Sequence, residues 1–196
     1  MDTPHTFEIS GSHGTMRLTA RAREIISNAD LEARKLGESF LKTEHLLLAF
    51  ALYDNRGPAL DDAFFWATYQ LRINPERVLA LIGKEYQSAV VIPAEEHLPF
   101  SPNFKKVLQY ALEESRSMGY LEEITSEHLF LGIIRNKTCT ASTILAAMNI
   151  SLAEVRETVI YLLGEMDQLP ERLLERHKEI PNGDRALSTG GEKSPG

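Results

Sequence analysis

Three absences limit what this chain of 196 residues can do. Cys139 is the only cysteine, so no disulfide can form within the chain and a thiolate zinc site would need ligands from elsewhere. No segment reaches the roughly 18 consecutive apolar residues of a membrane-spanning helix, and residues 1–16 lack the apolar core of a signal peptide. We therefore expect a cytoplasmic protein with no membrane contact.

Basic residues are also fewer than acidic residues in this chain. The chain has 21 Lys and Arg against 28 Asp and Glu, a formal net charge of -7. These charges are spread along the sequence, which disfavours nucleic-acid binding by neutralisation of phosphates. An acidic domain more readily receives cationic ligands. The content of 43% hydrophobic and 25% charged residues is otherwise that of a globular domain with a real core.

The most informative pattern present is a duplicated apolar stripe. Both copies follow the 3.6-residue period of an amphipathic helix of about five turns, and they lie 82 residues apart. Each predicted helix ends at a glycine, Gly37 or Gly119, where a residue in the left-handed conformation is expected. The stripe contains Leu18, Ala22, Ile25, Ile26, Ala29, Ala33 and Leu36 in the first copy, and Phe100, Phe104, Val107, Leu108, Ala111, Ser115 and Met118 in the second.

A second unit follows each glycine, at an offset of 83 residues. It reads Lys-Thr-Glu-His-Leu-Leu-Leu over 42–48 and Thr-Ser-Glu-His-Leu-Phe-Leu over 125–131. Thr43 and Ser126 are predicted as helix N-caps, with Glu44 and Glu127 at the positive end of the helix dipole. The runs that follow, through Phe50 and residue 134, are apolar on all sides, which is typical of buried helices.

The pattern predicts an all-α fold of eight helices with pseudo-twofold symmetry, built from two tandem four-helix repeats. A last helix opens at Asn74-Pro75 in the first copy and at Ser151 in the second, and ends near residues 83 and 164. Repeat 1 covers 18–83, a linker with a short extended piece over 90–92 covers 84–99, and repeat 2 covers 100–164. A flexible segment over 1–17 precedes them, and a charged helix and disordered tail over 165–196 follow.

This combination resembles the N-terminal repeat domain of the Clp (Hsp100) unfoldases, closest to the ClpC type, over residues 18–164. The resemblance implies a docking platform for substrates and adaptor proteins of an ATP-driven unfoldase, with no catalytic activity and no cofactor. It further implies that Glu44 and Glu127 help to form a pocket for phosphorylated arginine. The residues expected to support them are Thr43, Ser126, His45 and His128.

The chain also departs from that family. No Gly-x-x-x-x-Gly-Lys-Ser/Thr loop is present, since the only Gly-Lys pair, Gly83-Lys84, lacks the earlier glycine. We therefore expect a stand-alone version of the domain without the ATPase modules. The residue before the Thr-Glu-His unit is typically glycine in the ClpC type, whereas Lys42 and Thr125 stand there in this chain.

Both signature residue types have a plainer interpretation. A carboxylate can bind a guanidinium through two oxygens and a helix N-terminus favours phosphate, but a glutamate in a first turn also stabilises a helix by about 0.3–1 kcal/mol with no ligand. His45 and His128 directly follow the glutamates, and neighbouring residues diverge by about 100° around a helix. A structural histidine, bonded to the loop between the first two helices, is favoured over a metal ligand or acid–base pair, and no metal site is predicted.

Other residues add little chemistry. Phe64, Phe65 and Trp66 are predicted to pack in the core, with a partner anchor as the alternative for whichever is exposed. Cys139 has no base nearby in sequence and is not predicted to be catalytic. An enzyme is disfavoured because no nucleophile or oxyanion-forming loop accompanies the Glu-His pairs. We predict a protein-binding module of the Clp ATP-dependent proteolysis system, whose partners are a Clp-family unfoldase, adaptors or substrates; the alternative is a stress or transcriptional regulator that reuses the fold.

Overall fold

Seven helices and two short strands form the part of the chain that the structure describes. The computed structural model describes residues 17–53, 73–86, 97–119 and 123–164. The elements are β1 (Arg17–Leu18), α1 (Ala20–Lys35), α2 (Thr43–Tyr53), α3 (Pro75–Ile82), α4 (Pro102–Ser117), β2 (Glu123–Ile124), α5 (Ser126–Arg135), α6 (Thr140–Ala147) and α7 (Leu152–Leu162). The predicted all-α class is confirmed, with four helices in the second copy and three in the described part of the first.

The helices α1 and α4 carry most of the two copies of the apolar stripe, and each helix has 16 residues. Thr19 and Ser101 cap them, each hydroxyl accepting a backbone N–H at 3.2 Å and so satisfying a donor that the helix leaves unpaired. The predicted stops are confirmed, because φ is 69° at Gly37 and 79° at Gly119. Most of each stripe is buried in the core: Ala22, Ile25, Ile26, Ala29, Ala33, Leu36, Phe104, Val107, Leu108, Ala111 and Ser115.

The helices α2 and α5 form the centre of the core. Residues 46–51 of α2 and 129–134 of α5 are all buried, which confirms the burial predicted from their apolar sequences. Phe50 and Phe130 meet edge to face with ring centroids 5.2 Å apart, so the two copies share one core. The helix α5 packs closely on α4, and a Cβ added at Gly132 would lie 2.4 Å from the Val107 carbonyl oxygen.

The last helix of each copy begins and ends as predicted. In α3, the side chain of Asn74 accepts the Arg77 N–H at 2.8 Å and Pro75 is the first helical residue. In α7, Ser151 and Glu154 form a reciprocal capping box. Left-handed glycines follow both helices, at residues 83 and 164.

Four predicted features lie outside the described residues, in whole or in part. They are the flexible segment over 1–17, of which only Arg17 is described and lies in β1, the aromatic segment Phe64, Phe65 and Trp66, the extended piece over 90–92, and the charged helix and tail over 165–196. Within the described ranges, no helix is long and apolar enough to cross a membrane.

Short backbone pairings cross between the two copies, a feature that the sequence did not predict. The strands β1 and β2 are parallel, with Leu18 opposite Ile124. At the equivalent place, the Leu41 N–H donates to the Pro99 carbonyl and the Ser101 N–H donates to the Leu41 carbonyl, both at 2.9 Å. The segment before the second helix of each copy is thus bonded to the segment before the first helix of the other. This pairing brings the start of α4 beside the start of α2, and the start of α1 beside that of α5.

Buried carboxylates of α1 hold the segments on either side of residues 87–96. Asp30 accepts the Leu98 N–H at 2.7 Å and also binds Arg34 at 2.7 Å. Two residues further along α1, Glu32 accepts the Tyr86 hydroxyl at 2.6 Å. Both carboxylates are buried, so these bonds fix the chain after α3 and before α4 on the surface of α1.

Candidate functional site

Glu44 lies at the second helical position of α2. The residue is only 9% exposed, and its Oε2 accepts a long hydrogen bond of 3.4 Å from the Thr43 hydroxyl. Among the described residues, no lysine, arginine or histidine forms an ion pair with this carboxylate. Burial of a carboxylate is costly unless a cation or several donors compensate it. The geometry therefore favours a cationic group beside Glu44.

The helix starts predicted at Thr43 and Ser126 were wrong by one residue. The N-cap of α5 is Thr125, and Ser126 is already helical; α2 likewise begins at Thr43. The hydroxyl of Thr43 instead accepts the N–H of Ala141 at 3.3 Å, near the start of α6 in the other copy. The helix α6 has no side-chain cap of its own, so Thr43 supplies its missing acceptor from 98 residues away.

His45 and His128 explain this one-residue shift. The Nδ1 atoms accept the backbone N–H groups of Lys42 and Thr125, both at 3.1 Å, and hold those residues at the cap position. The predicted bond to the loop between the first two helices is therefore present. Burial lowers the pKa of His45 to about 4 and also lowers the pKa of His128, so both rings are neutral at physiological pH. No group of three His, Cys, Asp or Glu side chains within the described ranges could hold a metal ion.

A cavity of about 360 Å³ opens beside Glu44. Its walls come from the N-termini of α2, α4 and α6 and from the segment before α2, and comprise Phe40, Lys42, Thr43, Glu44, Ser101, Pro102, Asn103 and Thr140. A helix N-terminus carries partial positive charge and backbone N–H groups without helical acceptors. Among the described residues, the cavity therefore combines one carboxylate, one lysine and three positive helix ends around a single volume.

A half-buried carboxylate, that of Glu38, fixes the lysine of the cavity. The Lys42 Nζ lies 2.6 Å from one oxygen of Glu38, and Lys84 binds the other oxygen. Burial alone would raise the pKa of Glu38, but the hydrogen bonds and charges of the two lysines outweigh burial and lower that pKa below its ordinary value. The three side chains together carry one net positive charge at neutral pH.

Glu127 occupies the equivalent position in the second copy. It is the second residue of α5, is 9% exposed, and its Oε2 accepts the Ser126 hydroxyl at 2.9 Å. The crossed pairing brings the start of α1 to this point, where the Thr19 N–H donates to the Ile124 carbonyl at 3.0 Å. Each candidate glutamate therefore lies at a helix start of its own copy, beside the first helix of the other copy.

The remaining candidates lie apart from this chemistry or outside the described residues. Cys139 is buried, and its Sγ lies 3.4 Å from the hydroxyl of Ser142. Glu123, one of an acidic pair noted in the sequence, is exposed in β2, and its neighbour Glu122 lies outside the described residues. The sequence did not identify the walls formed by residues 101–103 and 140. A Ser-Pro helix start was visible there, but nothing in sequence showed which helix it would face.

The comparison with protein families decides the identity of this unit. The sequence profile of the Clp repeat (R) N-terminal domain matches residues 3–61, 67–148 and 100–186. The chain belongs to the Clp N-terminal domain family. Its duplicated pattern is therefore the Clp repeat, and Glu44 and Glu127 stand at the second helix of each repeat.

Relatives of known sequence are much longer proteins. The ClpA homolog of the ATP-dependent Clp protease ATP-binding subunit from Guillardia theta is 34% identical over 158 residues, which is 76% of this chain and 17% of that protein. The chloroplastic chaperone protein ClpC2 from Oryza sativa subsp. japonica is 32% identical over 158 residues, again 76% of this chain and 15% of the relative. The chain thus spans about a sixth of the length of these relatives.

Solved structures share the fold of this Clp domain. The N-terminal domain of ClpD from Arabidopsis thaliana superposes with a TM-score of 0.52 at 23% identity, covering 76% of this chain and 95% of that one. The Hsp104 N-terminal domain from Candida albicans superposes with a TM-score of 0.56 at 19% identity, covering 76% of this chain and 93% of that one. A ClpV N-domain, solved in complex with a VipB peptide, superposes with a TM-score of 0.52 at 15% identity, covering 77% of this chain and 89% of that one.

Proposed function

We propose that this Clp domain, over residues 18–164, is a docking module that binds substrates or adaptors for a Clp-family unfoldase, and that Glu44 and Glu127 receive phosphorylated arginine side chains. The observation that carries the proposal is Glu44 itself. Its carboxylate is 9% exposed, forms no ion pair within the described residues, and faces a cavity of about 360 Å³.

The chemistry of the cavity matches both ends of a phosphorylated guanidinium. A guanidinium presents a rigid fork of N–H donors that suits a carboxylate such as Glu44. A phosphate suits the positive dipoles at the starts of α4 and α6. A group that carries both charges at adjacent atoms can satisfy both features within one small volume.

Protein binding is also consistent with the relatives. The ClpV N-domain was solved with a bound VipB peptide, and the curated relatives are named as subunits of an ATP-dependent protease or as chaperones. A domain of the same fold that docks polypeptides for such a machine would need no catalytic group of its own.

Calorimetry with free phosphoarginine tests the ligand assignment. We expect binding in the micromolar range, weakened at least about tenfold by Glu44→Gln and further by the double variant with Glu127→Gln, because a charge-assisted bond contributes about 1.5–3 kcal/mol. Glu76→Gln is a matched control, since Glu76 is also the second residue of its helix, α3, but is exposed.

Two outcomes would count against the ligand assignment. If the wild-type domain produces no heat with phosphoarginine, the cavity does not bind that group. If Glu44→Gln and Glu76→Gln lower stability equally and leave binding unchanged, Glu44 acts only on the helix dipole.

Affinity capture from a cell lysate tests the partner class. We expect recovery of an ATP-dependent unfoldase, its peptidase or its adaptors with the wild-type domain, and weaker recovery with the double glutamine variant. Recovery of transcription or stress-response proteins without any Clp component would instead assign the fold to a regulator outside Clp proteolysis.

A further inference from the structure

The two copies differ in charge at the residues that flank the crossed pairing. Leu41 and Ile124 are equivalent, since each pairs with the segment before the first helix of the other repeat. On either side of Leu41 stand Phe40 and Lys42, whereas Glu123 and Thr125 stand on either side of Ile124. The first copy thus offers an aromatic ring and a cation where the second offers a carboxylate and a neutral hydroxyl.

Lys42 is held where it can reach an anion in the cavity. Its ammonium donates to Glu38 at 2.6 Å and has two further N–H donors, and its side chain remains 35% exposed. Because Lys84 binds the same carboxylate, Glu38 is shared and does not cancel both positive charges. Of these two lysines, Lys42 lines the cavity and Lys84 does not.

Phe40 presents a flat apolar surface at the rim of the same cavity. The residue is 47% exposed, which is high for a phenylalanine, and it lines the cavity together with Lys42 and Glu44. An exposed aromatic ring is a platform on which a guanidinium plane can stack. Such a platform favours a planar cation over a lysine ammonium.

We propose that Lys42 makes the first-repeat site selective for phosphorylated over unmodified arginine, with Phe40 as the stacking surface for the guanidinium. This inference rests on the proposed function. The wall of the first site has one positive and one negative side chain, which matches a ligand that carries both charges. The corresponding positions of the second repeat, Glu123, Thr125 and Glu127, have two negative charges and no positive one, so that site lacks this preference.

The test is calorimetry on the full chain in a Glu127→Gln background, which silences the second candidate site. Phosphoarginine and arginine are titrated separately, and the ratio of their affinities is the readout. We expect Lys42→Thr, which installs the residue of the second repeat, to lower the ratio at least about fivefold. Lys42→Arg keeps the charge and is expected to retain most of the ratio. Lys84→Thr leaves Glu38 paired with Lys42 alone and is expected to lower the ratio less than Lys42→Thr does, because the ammonium of Lys42 stays in place.

The outcomes separate this inference from the proposed function. If the Glu127→Gln protein binds neither ligand, the proposed site fails and the selectivity fails with it. If that protein binds phosphoarginine and Lys42→Thr has an unaltered ratio, only the role of Lys42 is overturned. An equal loss of affinity for both ligands in Lys42→Thr also overturns the role of Lys42. Loss of an ammonium that contacts the phosphate would weaken the binding of phosphoarginine and not that of arginine. The proposal is supported if the ratio falls most in Lys42→Thr, falls less in Lys84→Thr and stays normal in Lys42→Arg.

Discussion

The two Clp repeats have similar apolar cores and different polar partners. Glu32 in α1 and Glu114 in α4 occupy the same position, 82 residues apart. Glu32 accepts the Tyr86 hydroxyl at 2.6 Å, whereas Glu114 binds Arg156 at 3.0 Å and Arg135 at 3.4 Å. The same buried carboxylate thus holds the chain after α3 in one repeat and the last helix, α7, in the other.

The start of the second helix shows the same divergence. Thr125 caps α5 through its hydroxyl, while Lys42 at the equivalent place has no side-chain oxygen to offer. Lys42 instead forms an ion pair with Glu38. Close-packed apolar positions tolerate only similar shapes, whereas these polar positions have exchanged partners while the backbone is kept.

The largest effect that we expect is on the pH dependence of stability. The pKa of His45 falls from its ordinary 6.5 to about 4 on folding. As the pH is lowered, His45 is therefore protonated in the unfolded state before it is protonated in the folded state. The stability that His45 confers is complete above pH 6.5 and declines as the pH falls toward 4, by about 3 kcal/mol at 1.36 kcal/mol per unit. His45→Gln keeps an acceptor for the Lys42 N–H and should flatten this slope in urea unfolding curves.

His128→Gln is the matching variant in the second repeat, and it should flatten the slope as well because the pKa of His128 is also lowered. Glu38 does not confuse the measurement, since its lowered pKa removes stability only as the pH falls below its ordinary 4.5. An unchanged slope between pH 5 and 6.5 in the double variant would show that neither ring is protonated on unfolding in this window.

The next largest effect concerns the packing of the second helix on the first. Gly132→Ala would place a Cβ 2.4 Å from the Val107 carbonyl oxygen, and we expect a loss of about 2 kcal/mol from overpacking. The equivalent residue of the first repeat is Ala49, which is 1% exposed. Ala49→Gly is the reciprocal variant and should cost about 1 kcal/mol through helix propensity. Equal stability of Gly132→Ala and wild type in urea would mean that α4 and α5 separate without cost.

The smallest effect concerns the helix caps. Thr125→Ala removes the hydroxyl that accepts the His128 N–H, and we expect a loss of about 1 kcal/mol in thermal or urea unfolding. Lys42→Ala removes no cap acceptor, and Glu38 retains Lys84, so its loss should be about 0.5 kcal/mol or less. A larger cost for Lys42→Ala than for Thr125→Ala would reverse the comparison.

The periodic parts of the fold could be predicted from sequence, and the crossed pairing could not. The spacing of Ile25 and Val107 with their stripes, and the glycines at 37 and 119, determine α1 and α4 by local rules of burial and backbone conformation. The strands β1 and β2 have two residues each and no alternation of apolar and polar side chains. Their existence depends on contacts between residues more than 100 positions apart, which no local pattern encodes.

Only part of the candidate site could be predicted from the sequence, because the rest depends on contacts between distant residues. The sequence identified Glu44 and Glu127 because the motif repeats, and it placed the helix starts one residue too late because a histidine is an uncommon partner in a capping box. It could not show that Ser101 and Thr140 face Glu44, since that proximity is produced by the packing of the two repeats.

The crossed pairing has a consequence for how this domain is divided. Leu41 bonds to the backbone around Phe100, β1 bonds to β2, and the Thr43 hydroxyl bonds to Ala141 of α6. A chain with only one repeat would leave each of these backbone groups without an acceptor or donor. It could satisfy them all at once by pairing with a second copy of itself about a twofold axis. The tandem duplication therefore joins in one polypeptide the contacts that a homodimer of single repeats would otherwise have to find by diffusion.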